Sequence, residues 1–404
     1  MYGLLGRTLK SSFSKEIHAM FGVKDYNYYE IAPENLESFI KSGEFSGLNV
    51  TMPYKIDVMK YLDYISDEAR EVGSVNTIVR DKNGRLTGYN TDVYGFEAML
   101  DKAGFEVTGK KVLVLGSGGA SRAVCYVLNK REAAEVIIIS RSGENNYMNI
   151  SKHFDADYII NATPVGMSPN VDERILDLSH FDNLKGVGDL IYNPLRTELM
   201  LQAEDMGIPT IGGLYMLVAQ AKRADELYHK KKITTSRLNN VYKKIYKEKR
   251  NIVLIGMPGS GKTTVGKWFA KISKVKFYDT DKMIRASENR SPQQIIETDG
   301  EETFRKIESR IIKEVSLRNN SVIVTGGGAV TVPGNKNALK HNSLVVYVIR
   351  PLENLATKGR PLSQKMSVDK LYEQRKNLYE EYSDTVIVND KELKDVLKML
   401  KELL

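Results

Sequence analysis

Residues 251–264 read Asn-Ile-Val-Leu-Ile-Gly-Met-Pro-Gly-Ser-Gly-Lys-Thr-Thr. The run from Asn251 to Ile255 is short, apolar and of strand length. The glycines after it match G-x-x-x-x-G-K-[ST], a loop whose backbone N–H groups close round phosphate oxygens. A helix is predicted from Val265 through Ala270. Gly256, Gly259, Ser260 and Gly261 form the cradle. Lys262 is placed to reach the outer phosphates, and the Thr263 hydroxyl, with Thr264 beside it, to meet Mg²⁺. ATP and Mg²⁺ are the expected ligands. The loop stands mid-chain, and the 250 residues before it carry a second glycine loop, Gly116-Ser-Gly-Gly119. The polypeptide therefore reads as two enzymes in one chain.

Composition bounds this reading. At 404 residues the chain exceeds one ordinary core, so two or three domains are expected. No apolar stretch approaches the roughly 18 residues of a membrane span, and the N-terminus lacks a signal-peptide layout. The single cysteine, Cys125, rules out an internal disulfide, reads as a small core residue and suits a reducing cytoplasm. The net charge of +8 is local. Residues 230–250 hold nine Lys/Arg and one Glu, while the rest balances at 50 basic and 50 acidic residues. A solvated helix face is the expected cause, with a nucleic-acid surface as the alternative. The partners expected are small molecules, with no membrane, no nucleic acid and no obligatory protein.

Residues 111–115 form a buried-type strand. Gly116-Ser-Gly-Gly-Ala-Ser-Arg122 turns it into a helix, and Val136-Ile-Ile-Ile-Ser140 is the next strand. This is a β-α-β unit offering Gly116, Gly118, Gly119 and Ala120 to a dinucleotide phosphate. An acid after the second strand would favour NAD. Here Ser140-Arg141 stands instead, and a guanidinium suits the 2′-phosphate of NADP. The segment between Arg141 and Asn161 is short for a strand–helix unit, so this domain reads as abbreviated. Helices are predicted over 213–229 and 235–249, the latter with Leu238, Val241, Tyr242 and Ile245 on one face. They are expected to pack back on the first 100 residues.

Polar clusters complete the first half. They are Ser12-Phe-Ser14, Asn49-Val-Thr-Met-Pro-Tyr-Lys55, Val75-Asn-Thr77 and Tyr89-Asn-Thr-Asp92. Each alone is ordinary loop polarity. Together they suit a small polyhydroxylated acid, with Lys55 and Asp92 as a proton-transfer pair. In that order the clusters resemble shikimate dehydrogenase over residues 1–249. Asn161-Ala-Thr163, Asp189-Leu-Ile-Tyr-Asn-Pro194 and Met216-Leu-Val-Ala-Gln220 extend the resemblance. It implies that Ser12, Ser14, Thr51, Asn76, Asp92 and Gln220 hold shikimate or 3-dehydroshikimate. It implies Lys55 and Asp92 as the catalytic pair, and Tyr192 and Met216 at the substrate–nicotinamide junction. Asn161 and Thr163 join the NADPH site.

The second half carries its own set. Phe277-Tyr-Asp-Thr-Asp281 puts two carboxylates at i, i+2, expected on one face of a strand end. Gly300-Glu-Glu-Thr-Phe-Arg305-Lys-Ile-Glu308 places an arginine on a helix. Val324-Thr-Gly-Gly-Gly328 ends a strand in glycines that admit an acceptor to the backbone. Gly359-Arg-Pro-Leu362 reads as a short lid, and Arg375 lies on a later helix. This order resembles shikimate kinase over about residues 251–390. The resemblance implies Asp281 as acceptor ligand and base, and Asp279 near Mg²⁺. It sets Arg305 and Arg375 on the shikimate carboxylate, Gly327 and Gly328 against the ring, and Arg360 on the transferring phosphoryl group.

The expected fold is α/β. Residues 1–100 with 212–249 form a shikimate dehydrogenase-like substrate domain. Residues 101–211 form an abbreviated Rossmann NADP domain, and 250–404 a P-loop kinase domain with a parallel sheet. The product of the first activity is the acceptor of the second. Rival readings are a quinate or broader polyol-acid dehydrogenase, a nucleotide-sensing binding protein, and a P-loop ATPase acting on nucleic acid.

Overall fold

The computed structural model describes residues 1–9, 12–355 and 368–403. The chain forms two compact units. One comprises 1–167, 173–193 and 202–245, the other 168–172, 194–201 and 246–404. Residues 194–201 count with the second unit because Arg196 is committed there. Its guanidinium donates to both carboxylate oxygens of Asp384 at 2.9 and 3.1 Å, and to the carbonyls of Lys340 and Ser343.

The first unit holds two sheets. β1 (Tyr2–Gly6), β2 (Tyr26–Glu30), β3 (Gly47–Val50), β4 (Tyr64–Ile65), β5 (Thr77–Arg80) and β6 (Leu86–Tyr89) run in the order β2-β1-β3-β5-β6-β4. β1 pairs in parallel with β2 and β3, while β5 is antiparallel to both its neighbours. The second sheet is wholly parallel. Its strands are β7 (Lys111–Leu115), β8 (Glu135–Ile139), β9 (Tyr158–Asn161), β10 (Gly186–Asp189) and β11 (Thr210–Gly212), ordered β11-β10-β9-β7-β8. Burial on both faces explains near-continuous apolar strands such as Val112-Leu-Val-Leu115, all buried. Between β8 and β9 the chain forms only the 3₁₀ turn Ile150–His153.

Helices fix how these sheets are used. Helix Thr91–Ala103 packs along helix Leu214–His229. Gly95 permits the contact, since a Cβ there would lie 2.9 Å from the Met216 carbonyl oxygen. Helix Thr235–Lys249 buries Leu238, Val241 and Ile245, the face its spacing predicts. Lys243, Lys244 and Lys247 are exposed, so the basic excess is a solvated face here.

The second unit contains a five-stranded parallel sheet. β12 (Asn251–Ile255), β13 (Lys276–Asp279), β14 (Ser321–Val324), β15 (Ser343–Ile349) and β16 (Thr385–Val388) are ordered β13-β14-β12-β15-β16. Helix Lys262–Ser273 follows the phosphate loop and buries Val265, Phe269 and Ala270 against β12, β14 and β15 residues. No helix among the described residues is long and apolar enough to cross a membrane.

Ile160 tests the parallel core of the first unit. It is fully buried on β9, and its Cδ1 fills the space above Gly188. Ile160→Ala is expected to cost about 2–5 kcal/mol. Urea unfolding should show a lower midpoint for the transition of this unit.

Candidate functional site

In the first unit the buried carboxylate of Asp92 is the focus. Asn90 caps helix Thr91–Ala103, its side chain accepting from the Asp92 N–H at 3.1 Å. Asp92 thereby sits in the first turn, where the helix dipole favours a negative charge. Lys55 Nζ donates to Asp92 Oδ2 at 2.6 Å, and Asn76 Nδ2 donates to Oδ1 at 2.9 Å. Asn76 Oδ1 in turn accepts from the Thr91 N–H at 2.7 Å. The Thr91 hydroxyl reaches Gln220 Oε1 at 3.3 Å. Lys55 is held from behind by its carbonyl, which accepts from the Val75 N–H at 2.8 Å. Four clusters distant in sequence thus meet at one ion pair that remains partly open, with the lysine side chain 15% exposed.

Ser12 and Ser14 form their own pair, hydroxyl to hydroxyl at 3.0 Å. Tyr192 joins them with its ring tilted against that of Phe13, 5.1 Å between centroids. Burial pushes the Tyr192 hydroxyl up, with Tyr28 adding to it. Thr51 follows β3 and packs its methyl near Gly6. Met216 lies on helix Leu214–His229, and its carbonyl faces Gly95.

The glycine loop abuts this cluster. Gly116 has φ of +104°, and a Cβ there would strike Thr163 Cγ2 at 2.8 Å. Gly118 caps helix Gly119–Lys130 without a side-chain bond and has open space beside it. The N–H groups of the first turn, through Ala120, are left for an anion. A Cβ on Gly119 would lie 3.6 Å from Lys55 Cδ, so the helix N-terminus adjoins the lysine. Gly116 N–H bonds to the Ile139 carbonyl, bringing the loop beside Ser140 and the exposed Arg141. These features fit a dinucleotide. Asn161 is the last residue of β9. Its side chain is fully buried, donating to Asp189 Oδ2 at 3.0 Å and accepting from the Thr163 N–H and hydroxyl. It ties the end of β9 to the end of β10. Cys125 is half-buried, and burial pushes its thiol up to about 11.

In the second unit, a cavity of about 690 Å³ lies over the phosphate loop, with Lys262, Asp281, Arg305, Gly327 and Arg375 among its lining. Gly256 and Gly261 take φ of +140° and +90°. Ser260 is buried beneath the loop, and Gly259 and Thr264 face the cavity. Lys262 folds over the loop, its Nζ donating to the carbonyls of Gly256 and Met257 at 2.8 and 2.9 Å. The Thr263 hydroxyl meets Asp279 Oδ2 at 3.4 Å, a pair of oxygens that fits Mg²⁺. The cavity has room for a nucleotide and a second small molecule.

The two aspartates do not share a strand face. β13 ends at Asp279, which caps helix Thr280–Glu288 by accepting from the Lys282 N–H. Asp281 lies in the first helical turn, because the cap turns the chain one residue earlier than i, i+2 alternation supposes. Burial pushes its carboxyl up, Asp279 adds to this, and Lys262 and Arg305 oppose it. The glycine run forms the facing wall. A Cβ on Gly326 would lie 2.8 Å from Glu308 Oε1 and 3.0 Å from Asp281 Oδ1, and one on Gly328 would lie 2.2 Å from Arg305 Nη2. Arg305 donates to Glu308 Oε2 at 2.6 Å and to Glu301 Oε1 at 2.9 Å. Arg375 is buried on helix Val368–Tyr382, and Tyr379 on that helix donates to the Gly327 carbonyl at 2.5 Å.

Sequence reasoning quoted Glu308 but gave it no role. Its i, i+3 spacing from Arg305 was the available signal. Asn389 and Arg350 went unnoticed. Asn389 Nδ2 donates to the Ser260 carbonyl at 2.7 Å, and Asn389 and Arg350 line a neighbouring space of about 350 Å³. No local pattern marks them. Arg360 lies outside the described residues.

Two family models match the chain. The shikimate dehydrogenase substrate binding domain matches residues 4–78, and shikimate kinase matches residues 258–404. A shikimate dehydrogenase (NADP(+)) of Clostridium perfringens is 35% identical over 268 residues, covering 61% of this chain and 98% of that protein. Among solved structures, a chorismate mutase/shikimate 5-dehydrogenase fusion protein from Clostridium acetobutylicum has 35% identity and a TM-score of 0.58, covering 60% of this chain and 96% of its own. A shikimate 5-dehydrogenase of Thermus thermophilus, solved with NADP(H) and shikimate, has 29% identity and a TM-score of 0.55 over 60% of this chain and 98% of its own. The chain belongs to the shikimate dehydrogenase family and carries, over residues 258–404, a shikimate kinase domain.

Proposed function

We propose that this chain catalyses two consecutive reactions: reduction of 3-dehydroshikimate by NADPH, then phosphorylation of the resulting shikimate by ATP. The observation carrying this reading is the Lys55–Asp92 pair at 2.6 Å, set beside the Gly119 helix start, in a chain that also holds a kinase cavity. The substrate domain comprises 1–100 with 212–249, the NADP domain 101–211 and the kinase domain 250–404. The lone cysteine is in keeping with a cytoplasmic enzyme.

NADPH supplies the hydride when bound, held by Gly116, Gly118, Gly119 and Ala120 at its phosphates, Arg141 at the 2′-phosphate and Met216 at the nicotinamide. Lys55 Nζ gives a proton to the ketone oxygen as it becomes a hydroxyl. Asp92 orients that ammonium, and Asn76 fixes Asp92. Ser12, Ser14, Thr51 and Gln220 hold the remaining polar groups of the substrate.

In the kinase cavity Asp281 accepts the proton of the attacking shikimate hydroxyl. Lys262 faces the phosphates, and Thr263 with Asp279 holds Mg²⁺. Arg305 and Arg375 offer planar forks to the carboxylate. The crowding at Gly326 and Gly328 supports this, because these glycines stand directly against Asp281 and Arg305.

A coupled assay with 3-dehydroshikimate, NADPH, ATP and Mg²⁺ should yield shikimate 3-phosphate without helper enzymes. Lys55→Ala should abolish reduction and spare the kinase, and Lys262→Ala should do the reverse. Loss of both activities in either folded variant would refute independent sites. Asp281 gives a pH-linked test. Its raised carboxyl means that folding loses stability as pH climbs from the unfolded value near 3.8 through the folded one, and that loss persists at pH 7. Asp281→Asn should therefore melt higher than the parent at pH 7, with the difference shrinking toward pH 4. Its phosphorylation rate should fall roughly 10²–10⁴-fold.

A further inference from the structure

We propose that Asp172, Glu198 and His341 form a binding site for a divalent transition-metal cation of the Zn²⁺ class, separate from the nucleotide cavity and holding three stretches of the second unit together. All three residues lie in that unit. Their ligand atoms all fall within 4.8 Å of one another.

His341 carries the inference. It follows helix Asn335–Lys340 and is only 2% exposed. Its Nδ1 stands 2.8 Å from the Arg196 carbonyl oxygen. A carbonyl accepts and cannot donate, so Nδ1 bears the proton and the neutral ring presents a lone pair at Nε2. Nε2 is buried and makes no hydrogen bond among the described residues. It lies 3.2 Å from Glu198 Oε1, within ion-pair distance but without hydrogen-bond geometry. Two acceptors thus face each other in a buried place, and a cation between them resolves the conflict.

The surroundings match a metal site in two further respects. An imidazole that ligates through one nitrogen commonly gives its other N–H to a backbone carbonyl, as Nδ1 does here. Glu198 is also oriented from behind, its Oε2 accepting from Asn337 Nδ2 at 2.7 Å. Asp172 supplies the third ligand atom, a carboxylate oxygen, from a half-exposed position. It pairs with Lys313 at 2.6 Å, and both side chains are more than half exposed, so the lysine can turn to solvent. One imidazole and two carboxylates suit Zn²⁺, Co²⁺ or Mn²⁺ better than Mg²⁺ or Ca²⁺, which prefer oxygen alone. Such a cation ties residues 168–172 and 194–201 to the end of helix Asn335–Lys340.

Calorimetric titration of the chelator-treated full chain with Zn²⁺, in millimolar Mg²⁺ to occupy the Thr263–Asp279 site, tests this. One saturable Zn²⁺ per chain is expected, with a melting temperature that rises with Zn²⁺ concentration by mass action. His341→Asn keeps a donor for the Arg196 carbonyl but removes Nε2, and Glu198→Gln removes a charge. Each should weaken Zn²⁺ at least tenfold, while Asp279→Asn should not. Co²⁺ should give visible absorption bands in the parent that vanish in His341→Asn. An absent site, or equal affinity in parent, His341→Asn and Glu198→Gln, overturns the proposal. So does a nitrogen-resolved NMR signal showing His341 doubly protonated at pH 7 with Zn²⁺ present, since the cation between the acceptors is then a proton.

Discussion

A carboxylate can be buried beside a cation only if its remaining lone pairs are met, and both units are organised around that constraint. Asp92 meets it within the protein. Lys55 takes one oxygen, Asn76 the other, and the helix start surrounds both with partial positive charge. The fold of the first 100 residues reads as the means to this end. The turn after β3 delivers Lys55, the turn before β5 delivers Asn76, and the cap at Asn90 sets the angle of Asp92. In the second unit the constraint is met incompletely. Glu308 is wholly buried, yet its Oε1 has no hydrogen-bond partner, and Asp281 and Glu308 both titrate above the ordinary range because burial outweighs their cations. The first carboxylate is fully partnered within the protein, whereas the second site leaves an oxygen of Glu308 without a hydrogen bond.

Much of this was legible in the sequence, for a physical reason. The phosphate loop is contiguous, so its chemistry and its local structure are written in the same nine residues. Helix Thr235–Lys249 was equally plain because one face had to be apolar. The Lys55–Asp92 pair could be named from its company of amides and hydroxyls, but not its distance. What escaped was set by contacts across the sheet. Asn389 reaches the loop from the end of β16, more than 120 residues after Ser260. Arg196 belongs with Asp384 through a bond that no spacing announces. Asp281 moved from strand to helix because a single cap at Asp279 ended β13, a decision of one hydrogen bond that alternation cannot see.

Charge tells a similar story of local causes. The whole net excess of basic residues is confined to the 230–250 stretch. In the folded chain its helix hides an apolar stripe and turns the lysines outward. A global pI near 9.1 therefore describes one surface rather than the character of either site.

Gly328 bears on anyone who would engineer this protein. Its φ of −97° is ordinary for any residue, so nothing in its backbone demands glycine. Replacing such a glycine with alanine is a standard route to added stability, since it restricts the unfolded chain. Here the three atoms nearest an added methyl group all belong to the tip of Arg305, the guanidinium that partners the wholly buried Glu308. Displacing that tip would leave a buried carboxylate without its cation, a loss larger than the gain from restricting the unfolded chain. A position free in its own backbone is thus held to glycine by an ion pair one side chain away.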